Sequence, residues 1–67
     1  MPSHLKKDQR RALSYLRKAH AHDTKCPASD MQAYARISML VDGYHPIVAE
    51  QAVALAWRDH FETQPPI

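Results

Sequence analysis

The chain has one cysteine and one glycine among its 67 residues, and each scarcity excludes something. A lone Cys26 cannot close an intramolecular disulfide, so no covalent staple holds the fold, and a reducing compartment, the cytoplasm, is expected. One glycine leaves no glycine-rich loop to cradle a phosphate. With few β-branched residues and many alanines, it also points away from sheet and toward helix. No stretch approaches the ~20 apolar residues of a membrane span. The opening Met1-Pro-Ser-His-Leu-Lys-Lys7 lacks the apolar run of a secretion signal. The sequence therefore reads as a soluble, all-α chain forming one domain over residues 1–67. A chain of this length buries only about 60% of its unfolded surface, which leaves a small margin of stability unless it associates.

The stretch Pro46-Ile-Val-Ala-Glu-Gln-Ala-Val-Ala-Leu-Ala-Trp-Arg-Asp-His-Phe61 dominates the pattern. Read at about 100° per residue, Val48, Ala49, Ala52, Val53, Leu55, Ala56, Trp57 and Phe61 cover a very wide apolar arc. Only Gln51, Arg58 and Glu62, flanked by Asp59, make a polar stripe. Such a helix is packed on two sides or shared with a partner. A helix over 46–62 is expected, the most buried of three. Its Ala49, Ala52 and Ala56 form a small-residue seam that lets another helix come close.

Charge is divided unevenly along the chain. Residues 1–25 hold Lys6, Lys7, Arg10, Arg11, Arg17, Lys18 and Lys25 against Asp8 and Asp23, a net +5; residues 26–67 carry a net −3. An asymmetry of this kind hints at an anionic partner. The first helix, near 5–21 with Ser3 as its N-cap, places Leu5, Ala12, Leu13, Leu16 and Ala19 inward and Tyr15 at the edge of that stripe. Lys6, Lys7, Arg10, Arg11, Arg17 and Lys18 fall on the other side. Cations in the first turns oppose the helix dipole, which favours an acidic surface nearby.

Pro27 ends the intervening linker by pushing Cys26 out of helical angles. Ser29-Asp-Met-Gln32 has the form of a capping box, so a second helix is expected over 30–42. On it Ala33, Tyr34, Ile37, Leu40 and Val41 are assigned inward. Gln32 and Arg36 face out, and Met39 falls on their side as an exposed apolar residue. Gly43 suits a left-handed C-cap, and Pro46 the first position of the third helix. The last two helices then form a hairpin. Pro65 and Pro66 rule out further helix, leaving a mobile tail over 63–67.

Five histidines and a cysteine invite a metal site at His20, His22 and Cys26, completed by His45 or His60. The spacing H-x-H-x3-C matches no standard zinc pattern, and the second cysteine of a knuckle is missing. No metal and no cofactor is expected. A thiolate pair of Cys26 and His22 would lack a pocket that excludes water, so no enzyme is expected either. A helix-turn-helix with its turn at Asp42-Gly-Tyr-His45 would offer Val48, Ala49, Ala52 and Val53 where base readers belong, and Gln51 alone fits. The basic face could instead track phosphates without reading sequence.

Met39-Leu-Val-Asp-Gly-Tyr44, with Ala49 and Ala52-Val53, resembles the core of a ubiquitin-associated domain, where a Met-Gly-Phe/Tyr loop precedes Ala-x-x-Ala-Leu. The likeness stops at residue 53. Asp42 stands in the methionine position and no third helix follows, so it is the likeness of one short helical hairpin to another and assigns no family.

The expected function is that of a small regulatory adaptor or inhibitor that binds another protein and occludes it. The alternative is a nucleic-acid-binding regulator. Lys6, Lys7, Arg10, Arg11, Arg17 and Lys18 supply the charged docking face. Met39, Tyr44, Val48, Val53 and Trp57 supply apolar contacts to a partner or to a second copy in a homodimer.

Overall fold

The computed structural model describes residues 3–62, and side chains from residue 6 onward. Three helices, α1 (Ser3–His22), α2 (Ala28–Val41) and α3 (Pro46–Trp57), pack pairwise against one another, and a π-helical segment (Arg58–Glu62) continues α3. No strand occurs among the described residues. The all-α, three-helix expectation is met. The Ser3 cap, the inward Leu5 and the tail over 63–67 lie outside the described residues or side chains.

α1 forms as its sequence pattern requires. Ala12, Leu13, Leu16 and Ala19 are buried, Tyr15 is half-buried at their edge, and the six cations are exposed. After His22 the chain turns on Asp23. Its carboxylate accepts the Lys25 amide at 3.0 Å and its carbonyl accepts the Cys26 amide at 3.0 Å, a local alternative to continuing the helix.

α2 begins earlier than expected, and not through a capping box. Pro27, at φ −61° and ψ 151°, is the N-cap, and no side chain caps this helix end. The Asp30 and Met31 amides both donate to the Pro27 carbonyl. Proline's fixed φ suits that place, and its missing amide is no loss there. Ser29 is thereby already inside the first turn. At the other end Gly43 adopts φ +101°. The Tyr44 amide donates to the Met39 carbonyl and the Gly43 amide to the Leu40 carbonyl, both at 3.0 Å, which makes a Schellman motif. His45 then caps α3 as its Nδ1 accepts the Ile47 amide at 3.1 Å, with Pro46 following at the first helical position.

The face that α2 turns inward is the reverse of the one expected. Met31, Ala35 and Met39 are buried, Met39 completely, while Tyr34, Ile37, Leu40 and Val41 are exposed. The reason lies in the spacing between helices. Six of the eleven buried residues are alanines, at positions 12, 19, 35, 49, 52 and 56, and small side chains draw the helix axes together. Unbranched, adaptable methionines fill the remaining gaps beside Leu13, Leu16 and Val53. The alanine seam of α3 is used the same way, inside the fold, with Val53 beside it.

α3 holds its α-helical form only to Trp57. Over Arg58–Glu62 the turn widens to π, so the expected helix to residue 62 changes type. Trp57 and Phe61 stack there, with ring centroids 4.8 Å apart and planes 11° apart, a pairing worth roughly 0.5–1.5 kcal/mol beyond its buried area. No helix among the described residues is long and apolar enough to cross a membrane.

Candidate functional site: the cationic face of α1

Lys6, Lys7, Arg10, Arg11, Arg17 and Lys18 fall within an arc of about 140° on α1, along about 18 Å of its axis. All six are exposed, and the nearest acid of the helix, Asp8, is half-buried on its flank. Packing of Leu13 and Leu16 fixes this rotation of the helix, so the core itself aims the cations outward.

Arg11 is tied into the fold. It reaches Tyr44 in the turn before α3, and that hydroxyl, more than the nearby Asp42, raises its pKa. Beside it the Tyr15 hydroxyl donates to the Asp42 carboxylate. This hydrogen bond is the main reason the Tyr15 phenol is raised above its ordinary value. Lys18 stands 5.7 Å from the centroid of the Tyr15 ring, whose edge meets Tyr34 at 6.2 Å. Lys6, Lys7, Arg10 and Arg17 have no salt bridge to a described residue.

Between α1 and the end of α3 lies a cleft of about 280 Å³. Leu13 and Leu55 form its apolar floor, and Lys6, Arg10 and Arg58 supply cations at its rim. Asp59 is also there, but it accepts from Gln9 Nε2 at 2.7 Å and lies 3.5 Å from Arg58 Nε, so its charge is already engaged. The cleft offers a cation beside an apolar surface, the arrangement that accommodates a carboxylate flanked by apolar groups.

The apolar residues expected to meet a partner have other placements. Met39 and Val53 belong to the core, and Tyr44, Val48 and Trp57 are half-buried. What reaches the surface instead, on α2 and the start of α3, is Tyr34, Ile37, Leu40, Val41 and Ile47, while half-buried Leu55 lines the cleft. A sequence signal for this existed. Met31, Ala35 and Met39 follow one another at i, i+4 and i+8, a single row along a helix.

His20, His22 and Cys26 do not form a ligand cluster, and no group of three His, Cys, Asp or Glu side chains able to hold a metal occurs among the described residues. The Cys26 thiol is pushed up by burial first and then by Asp30 and Asp23. That favours the protonated thiol, a poor nucleophile.

Comparison with known protein families, with curated proteins and with solved structures finds no match to this chain.

Proposed function

We propose that the protein is a small non-enzymatic binding protein, an adaptor or inhibitor, that lays α1 against an acidic surface of another protein and covers it. One observation carries this: the cation row, free of acids on its own arc, borders a cleft floored by Leu13 and Leu55. A protein partner can fill that cleft with an apolar side chain and set a carboxylate against Lys6 or Arg10. The cations steer the encounter, and the apolar insertion retains the partner once salt screens the charges. The single thiol of Cys26 suits action in the cytoplasm.

A photo-cross-linker at Ser14, an exposed position amid the cations, tests the proposal in extract from the source cell. Protease-sensitive adducts that disappear in both Arg10→Glu and Leu55→Ser are expected. Adducts sensitive only to nuclease, or unchanged by both substitutions, would overturn it.

The second reading, a nucleic-acid-binding regulator, draws on the same unpaired cations, which would follow phosphates without reading bases. Fluorescence anisotropy of labelled duplex DNA and single-stranded RNA, from about 50 to 200 mM salt, tests it directly. Tight binding with a steep salt slope, lost in Arg10→Glu/Arg17→Glu, supports this alternative. Absence of binding at the lowest salt dismisses it.

A further inference from the structure

The largest apolar exposure among the described residues is remote from the cleft. Val41 is 81% exposed, Ile37 60% and Ile47 58%, with Tyr34 and Leu40 also open to water. Ile37 and Leu40 continue into a groove of about 350 Å³ between α2 and α3, completed by Pro46, Ala49, Arg36 and Glu50. We infer that a second copy of this chain seats on this face, forming a two-fold symmetric dimer with Arg36 of each copy set against Glu50 of the other.

The charges argue for self-recognition. The groove holds one cation, Arg36, on its α2 wall and one anion, Glu50, on its α3 wall, and the two make no salt bridge within the chain. A two-fold axis brings the same patch onto itself, so a pair of unlike charges on either side of an apolar centre satisfies itself twice. An anionic polymer would gain nothing from a groove of zero net charge. The cationic faces of α1, by contrast, repel each other and cannot be the contact between copies.

Size agrees. A standard interface takes about 800 Å² from each partner, roughly a sixth of this chain's 4966 Å² surface. The molecule is flat, with extents of 34 × 27 × 15 Å, and its broad dimensions leave room for a contact of that size.

Sedimentation velocity on the full chain over a wide concentration range tests the inference. Wild type is expected to shift from monomer to dimer, and Ile37→Glu to raise the dimer dissociation constant about tenfold or more, with circular dichroism confirming that it stays helical. Arg36→Glu and Glu50→Arg should each weaken the dimer alone, whereas an equimolar mixture of the two variants should restore it. That rescue requires the two side chains to meet between copies. A wild type that remains monomeric throughout, a dimer indifferent to Ile37→Glu, or a mixture no stronger than its components would overturn the inference. None of these outcomes depends on what α1 binds.

Discussion

α1 and α2 rest on the same core yet show water opposite chemistries. α1 presents six cations, and α2 presents Tyr34, Ile37, Leu40 and Val41. The difference teaches what fixes a helix's rotation. On α1 the charges leave a single solution, because burying any of the six would desolvate an unpaired cation. α2 has only Asp30 in its first turn and Arg36 in its middle as charged markers, so its two apolar rows compete for the core and packing decides. The row that wins is Met31, Ala35 and Met39, an alanine between two unbranched methionines that fit the gaps left among the alanines, Leu13, Leu16 and Val53 of the facing helices.

The largest test of that contrast is a pair of substitutions on α2. Met39→Ala empties a fully buried site and should lower unfolding free energy by about 2–5 kcal/mol. Ile37→Gln alters an exposed one and should stay within about 0.5 kcal/mol at concentrations where the chain is monomeric. Urea denaturation followed by circular dichroism reads both. A larger loss at Ile37 than at Met39 would mean that α2 is turned the other way.

The tight spacing itself can be probed on α3, where two alanines two residues apart face opposite ways. Ala52 is fully buried and Ala54 exposed. Ala52→Leu should cost about 1–3 kcal/mol through overpacking, and Ala54→Leu should be near neutral. Equal tolerance at the two sites would show that the helices are not closely packed at Ala52.

Much of the fold was legible where one residue type has a single good use. Gly43 could only end a helix, and its left-handed φ and the two bonds around it are what that role demands. Pro46 could only begin one. The cations of α1 are likewise where their spacing puts them. Three features were not legible. Ser29 and Gln32 fit a capping box in sequence, but α2 starts at Ala28 with Pro27 as its N-cap, which puts Ser29 inside the first turn. The inward row of α2 had a pattern of its own in Met31, Ala35 and Met39, but a second apolar row matched the helical period too, and only packing against α1 and α3 chooses between them. The π turn at Arg58–Glu62 has no compositional mark, and with it the Trp57–Phe61 stack escaped notice. Of the candidate site, the charged half was therefore readable, while the α2 surface had been assigned to the interior.

The smallest predicted effect lies where α1 meets the turn between α2 and α3. The Tyr15 hydroxyl donates to Asp42, and the bond needs the phenol to keep its proton. Its pKa is raised above the ordinary 10.0, with that hydrogen bond the first cause and burial the second. The folded chain therefore holds this proton more tightly than the unfolded one. Its stabilising contribution is complete below about pH 10 and declines as pH climbs toward the raised folded value, because there the unfolded state loses the proton first. Tyr15→Phe removes the contribution at every pH. The stability gap between wild type and Tyr15→Phe should be constant from about pH 7 to 9 and shrink above 10. Lys and the other tyrosines titrate in both proteins, so they cancel in that difference. Urea midpoints measured for the two proteins side by side give the gap directly, with Asp42→Asn as the control expected to abolish its pH dependence. A gap that remains constant through about pH 11 would mean that the Asp42 carboxylate does not hold the Tyr15 proton. The turn that presents Tyr44 would then be anchored to α1 by packing and by the Arg11–Tyr44 contact.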